Sequence, residues 1–225
     1  MEDRELPGHL IVIEGPDGSG TTTQAEKLAE ELDAHYTAEP TGGKIGEKVQ
    51  EMITSEEYSA EAIALAFAAD RATHVEEEIV PRLENGETVV CDRYYHSSLV
   101  YQPALGADEE WVRQLNRYML TPDITLVLDI SSKKALDRVN KRENEVTEET
   151  VPEYDESQAS LGYFMKDGED DNIFENLSFQ EKVVLGYQKL KDGLEEPVFI
   201  VDSDQEVADV FEEVLSIARR ELDLS

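Results

Sequence analysis

The residues best placed to do chemistry run from 15 to 23: Gly15-Pro16-Asp17-Gly18-Ser19-Gly20-Thr21-Thr22-Thr23. Glycines at this density let backbone N–H groups close around phosphate oxygens, and a helix beginning near Thr21 adds the positive end of its dipole. The pattern G-x-x-x-x-G-K-[ST] describes such a loop. Gly15 and Gly20 fit its glycines, and Thr22 fits the hydroxyl that would bind Mg²⁺. Thr21 stands where the pattern asks for lysine. A hydroxyl there brings no full charge to a triphosphate, so Arg138, Lys141 or Arg142 closing over the nucleotide, or a bound K⁺, would have to supply it. The competing reading is a glycine-rich strand-to-helix turn capped by Thr21 to Thr23.

Asp92 and Arg93 follow the apolar run Thr88-Val89-Val90-Cys91. A guanidinium fork at a strand end suits a phosphate. Asp92 beside it suits a water-mediated Mg²⁺ partner, or alternatively a helix cap. Phe67 and Arg71 are four residues apart and share a helix face, where Phe67 reads equally as core. His9, His35, His74 and His96 show no metal-ligand spacing and read as structural or exposed. Cys91 is the one cysteine, which excludes an internal disulfide and a multi-cysteine zinc site.

The elements that must position these groups alternate. Leu10 to Ile13 is an apolar run of the buried-strand kind, and Ala25, Leu28, Ala29 and Leu32 recur at helical spacing after the loop. A short strand fits Tyr36 to Ala38, and Ile45, Val49, Met52 and Ile53 mark a helix. One long helical pattern runs from about 59 to 83, with Pro81 near its end and Asn85-Gly86 as its stop. Strands are expected at 88–91, 124–130 and 198–201. Helices are expected near 94–105, 108–120, 132–142 and 176–192, and a last one carries Val207 to Ala218. Residues 143–172 are acidic and weakly periodic, which reads as a loop. Alternation of this kind predicts an α/β domain: a parallel five-stranded sheet, helices on both faces, and a site at the carboxyl ends of the strands.

The 225 residues carry 52 acids against 20 Lys and Arg, a formal charge of −32. That field repels nucleic acid and anionic membranes. The 40% apolar content is enough to fold. No apolar stretch approaches the roughly 20 residues of a membrane span. Residues Met1 to Glu5 lack a signal peptide's order. A cytoplasmic protein is expected. The acids are dispersed along the chain, as in proteins of salt-loving cells, where a Debye length of about 3 Å at 1 M salt screens self-repulsion.

Five segments, in order and across nearly the whole chain, resemble the thymidylate kinase family. They are Leu10 to Gly18, Glu39-Pro40-Thr41-Gly42-Gly43, Phe67-Ala68-Ala69-Asp70-Arg71, Asp92-Arg93-Tyr94 with Ser97, Ser98, Tyr101 and Gln102, and Phe174-Glu175-Asn176 with Phe179-Gln180. The resemblance implies one P-loop nucleoside monophosphate kinase domain over 1–225, with a lid and acidic insertion about 138–175, assembled as a homodimer. It implies ATP-dependent phosphorylation of dTMP to dTDP with Mg²⁺. Residues 15, 17–20 and Thr21 to Thr23 would hold the donor, with Thr22 and Asp92 toward Mg²⁺. Arg93, Asp92, Arg138 and Arg142 would serve catalysis. Asp17, Glu39, Phe67, Arg71, Arg93, Ser97, Ser98, Tyr101, Gln102 and Gln180 would line the acceptor site. Ala38 replaces an arginine common in the family, and Gly18 places the chain in the branch whose catalytic cations come from the lid. The rival readings are a kinase for another nucleotide and a nucleotide-binding regulator without turnover. A GTPase switch lacks its N-K-x-D motif, since Asn140-Lys141-Arg142-Glu143 ends in the wrong acid.

Overall fold

Five strands, β1 (Leu10–Glu14), β2 (His35–Ala38), β3 (Val89–Asp92), β4 (Ile124–Asp129) and β5 (Val198–Asp202), form one parallel sheet in the order β2-β3-β1-β4-β5. The computed structural model describes residues 6–55, 57–145, 173–190, 193–194 and 196–224, without the side chains of 142–145 and 173–176. β1 lies at the centre, with Ile11 opposite Val90 on one side and Ile124 on the other. Successive side chains of a strand point to opposite faces. Leu10 and Val12 therefore enter one core with Ile53, Phe67, Ile79 and Tyr101, while Ile11 and Ile13 enter a second with Leu28, Leu126 and Val214. Both faces of β1 are covered, which is why its sequence is apolar throughout instead of alternating. Each buried Ile or Leu there contributes about 1.5–3 kcal/mol.

The helices are α1 (Thr21–Glu31), α2 (Lys44–Ile53), α3 (Ala60–His74), α4 (Val80–Glu84), α5 (Tyr95–Ala104), α6 (Glu109–Asn116), α7 (Ser132–Glu145), α8 (Ile173–Leu190) and α9 (Val207–Glu221). The single helix expected over 59–83 is three pieces: α3, a π-helical turn over Val75–Ile79, and α4. Pro81 has no N–H for the carbonyl four residues earlier, and the regular ladder gives way just ahead of it. Most of the expected acidic insertion, residues 146–172, lies outside the described residues. The strands flanking β1 come from opposite directions in the chain order, so a crevice opens at its carboxyl end, the place where such sheets bind ligands.

Candidate active site

The loop after β1 turns so tightly that side chains are excluded from parts of it. A Cβ on Gly15 would stand 2.5 Å from Ser19 Oγ and 2.8 Å from the Leu128 carbonyl oxygen. Gly18 has a φ of 83°, and a Cβ there would stand 2.5 Å from the Ala135 carbonyl oxygen. Helix α1 begins after Gly20 with no side-chain cap. This corrects the capping alternative: Thr21 to Thr23 lie inside the helix, and its first N–H groups remain available to an anion. The Thr22 hydroxyl donates to Asp92 Oδ2 at 2.6 Å. The other oxygen, Oδ1, is buried without a hydrogen-bond partner among the described residues. Burial pushes the Asp92 carboxyl above its usual range, against the pull of Arg93 and of the Thr22 hydroxyl. An orphaned carboxylate oxygen beside a hydroxyl at an open helix start is a hard-oxygen set of the kind Mg²⁺ takes, so these residues fit the ion.

Arg93 occupies the end of β3 with a φ of 68°, a left-handed backbone that costs a branched or long residue about 1–3 kcal/mol. The Arg93 N–H donates to the Ile13 carbonyl, and the Cys91 thiol donates to the Arg93 carbonyl, so the turn is held from both sides. The guanidinium donates through Nη2 to Asp17 Oδ1 at 2.7 Å. Through Nη1 it donates to Ser97 Oγ at 3.2 Å and Tyr187 OH at 3.3 Å. It also lies over the Tyr101 ring at 5.5 Å. Tyr101 accepts from the Asp17 N–H at 3.1 Å, and burial raises the pKa of its hydroxyl, so it stays neutral. Asp17, Arg93 and Tyr101 thus form one unit linking the loop to β3 and α5.

Arg71 is buried on α3. Its Nε donates to Glu39 Oε2, Nη1 to Asn116 Oδ1, and Nη2 to Ser98 Oγ and the Tyr94 carbonyl. Four of its five N–H groups are thereby engaged, leaving one on Nη1 without a partner among the described residues. Glu39 faces Arg71 and His74 and orients that guanidinium. Burial opposes a charge on His74, but the Glu39 hydrogen bond and the charges of Glu39, Glu78 and Asp70 outweigh it and raise its pKa. Asp70 accepts both the N–H and the hydroxyl of Thr41, pinning the Glu39-Pro40-Thr41 segment to α3. Phe67 is buried in the apolar core beside them.

Of the remaining expected residues, Gln102 and Gln180 are buried, with their Oε1 atoms unpartnered among the described residues. Arg138 donates to the Gly18 carbonyl at 3.2 Å and the Ser203 carbonyl at 3.3 Å, which lays its guanidinium on the loop. Lys141 is exposed on the same helix, and the side chain of Arg142 lies outside the described residues. Sequence reasoning missed Glu14, Asn116, Tyr187 and the buried pair His96 and Glu196. Glu14 had a signal, an acid closing an otherwise apolar strand, and Tyr187 had none.

A parallel sheet in this strand order, with a glycine loop wrapped ahead of α1 and bonded to Arg93 just past β3, is the architecture of a P-loop phosphotransferase of the nucleotide kinase class. The profile of the thymidylate kinase family matches residues 13–166. A probable thymidylate kinase of Pyrococcus abyssi is 36% identical over 228 aligned residues, 96% of this chain and 98% of the relative. Another, of Methanococcus vannielii, is 39% identical over 181, 80% of this chain and 77% of the relative. The chain belongs to the thymidylate kinase family. Its reaction is the ATP-dependent phosphorylation of dTMP to dTDP, and a regulator without turnover is not favoured.

Proposed function

We propose that dTMP binds with its phosphate on Arg93 and its base toward Phe67 and the last N–H of Arg71, bordered by Ser97, Ser98, Tyr101, Gln102 and Gln180. ATP lays its phosphates along residues 15–23. The observation that carries this reading is the 2.7 Å bond from Arg93 to Asp17. It ties the cation proposed for the acceptor to the loop proposed for the donor, which supports the two phosphates binding side by side.

The acceptor phosphate, with a second pKa of about 6, is ionised at neutral pH and needs no general base. Its oxygen forms a bond to the γ-phosphorus as the bond to the bridging oxygen of ADP breaks. Arg93 and the loop N–H groups oppose the charge gathered on the transferring group. Thr22 and Asp92 would hold Mg²⁺, which would supply positive charge against the donor phosphates. Arg138, already on the loop, takes over the charge of the absent lysine, and Arg142, one helical turn on, joins it from the lid within 138–175.

A K⁺ ion near Thr21 is a further source of charge. Replacing KCl by choline chloride at fixed ionic strength should then lower turnover. The chain is read as one P-loop domain working as a homodimer in a salt-loaded cytoplasm, and light scattering in 2 M KCl should return twice the chain mass. The central test is a coupled assay in molar KCl with ATP, Mg²⁺ and each of the four deoxynucleoside monophosphates. dTMP should be preferred, and release of no ADP with any of them would overturn the reading.

A further inference from the structure

Beneath Arg93 runs a line of buried charge that the phosphoryl-transfer scheme does not use. Glu14, the last residue of β1, is wholly buried. Its Oε1 accepts from the Tyr94 N–H at 2.8 Å and the Ser97 N–H at 3.1 Å. Its Oε2 accepts from Ser97 Oγ at 2.7 Å and Tyr187 OH at 2.9 Å. These are the same two hydroxyls that accept from Arg93. A hydroxyl has one hydrogen. With both hydrogens turned to a carboxylate, both oxygens present lone pairs to the guanidinium. The hydroxyls stand 3.0 Å apart and would bond to each other if Glu14 did not claim both hydrogens.

On the other side of Glu14 sits His96, also wholly buried. Its Nδ1 is 3.6 Å from Glu14 Oε1, an ion-pair distance, and its Nε2 is 2.6 Å from Glu196 Oε1. Tyr95 OH donates to the same Glu196 oxygen at 2.5 Å, and the Tyr95 ring stacks on His96 with centroids 4.1 Å apart. Thr125 Oγ1, from β4, lies 3.3 Å from Nε2. Charges therefore alternate in sign through the fold: Asp17, Arg93, Glu14, His96, Glu196.

We propose that Glu14 is a positioning residue for the acceptor clamp, holding Arg93 through Ser97 and Tyr187, and that His96, seated between Glu14 and Glu196, is the counter-charge that keeps Glu14 ionised. This rests on Arg93 being the acceptor clamp. Burial alone would push Glu14 up, but the nearby charge of His96, then the charge of Arg93 and the Ser97 hydrogen bond, bring it below its ordinary value. Burial likewise opposes a charge on His96, and the two flanking carboxylates outweigh it. Burial without such partners would neutralise the group instead.

The test measures KM for dTMP and for ATP from pH 6 to 8 in 2 M KCl for the wild type, Glu14→Gln, His96→Gln, Glu196→Gln and Arg93→Ala. Each ratio to wild type cancels the ionisation of dTMP itself. Glu14→Gln should raise the dTMP KM about tenfold at every pH and leave the ATP KM within about twofold, a split that loose packing would not give. His96→Gln removes the counter-charge, so Glu14 takes up a proton more easily. Its dTMP defect should be largest at pH 6 and fade toward pH 8, with Glu196→Gln milder in the same direction. Circular dichroism melts confirm folding, and if Glu14→Gln does not fold, the two pH profiles carry the test. A wild-type dTMP KM in Glu14→Gln, with binding lost in Arg93→Ala, overturns the positioning role. A pH-flat defect in His96→Gln overturns the counter-charge. A wild-type dTMP KM in Arg93→Ala overturns the clamp itself.

Discussion

Arg71 Nε donates to Glu39 Oε2 at 2.7 Å, and neither side chain is more than 2% exposed. The pair joins α3 to the end of β2 behind the proposed base site. Breaking a buried pair from one side leaves an uncompensated charge and costs about 3–5 kcal/mol. Glu39→Ala should therefore lower stability by about that amount in urea titrations at fixed high salt. The surviving folded enzyme should show a raised KM for dTMP and a nearly unchanged KM for ATP, because Arg71 loses its orientation and the phosphate loop does not. An equal rise in both constants would count against this division.

Arg138 and Thr21 present the second test. The guanidinium rests on the Gly18 carbonyl, whereas the residue at the lysine position is a buried threonine. If the cation has moved from the loop to α7, Arg138→Ala should weaken ATP binding about tenfold, the loss expected for one charge-assisted hydrogen bond. Thr21→Lys should tighten ATP in the wild type and restore most of the loss in Arg138→Ala. Calorimetry in 2 M KCl reads both, and a lysine that restores nothing would show that the loop no longer accepts an ammonium.

Local pattern carried the glycine loop and the five strands, because β1, β3 and β4 are buried runs that periodicity detects and the loop is contiguous. It failed where partners are far apart in sequence. Tyr187 and Glu14 are 173 residues apart, and nothing in the spacing of α8 marks that tyrosine from its core neighbours. Asn116 closes α6 and holds Arg71, yet in the sequence it is one polar residue among many. The break between α3 and α4 was half visible: Pro81 was there to see, but the π-helical turn before it depends on packing that periodicity does not encode.

His74 should give stability a pH dependence of defined sign. It contacts Thr37 at 2.7 Å, Glu39 at 3.1 Å and Glu78 at 3.8 Å, and its pKa is raised in the folded state. A raised folded pKa means that the contribution is fully present below the unfolded value, about 6.5 for histidine. It is lost as pH rises through the folded value. His74→Asn should be destabilised most near pH 6, and the gap from wild type should narrow toward alkaline pH, by at most about 1.4 kcal/mol per unit. Melting temperature against pH at fixed KCl checks this. A gap that widens with pH would mean that the imidazole is neutral in the folded protein.

Salt should act on the whole molecule. With 52 acids and 20 Lys and Arg, self-repulsion is what the solvent can change most without touching the core. The surface ion pairs, such as Lys48 with Glu51 and Arg82 with Glu87, are exposed and individually weak. They cannot balance the excess, and screening weakens them along with the repulsion. The Debye length falls from about 10 Å at 0.1 M salt to about 3 Å at 1 M. Relief of a few kcal/mol corresponds to about 10 °C in a chain of this size, so the melting temperature should climb by at least that much between 0.1 and 2 M KCl. Because the effect is screening, NaCl should reproduce most of it and an uncharged osmolyte should not reproduce its salt-dependent shape. A melting temperature equally high in dilute buffer would mean that the acidic surface is not a halophilic adaptation.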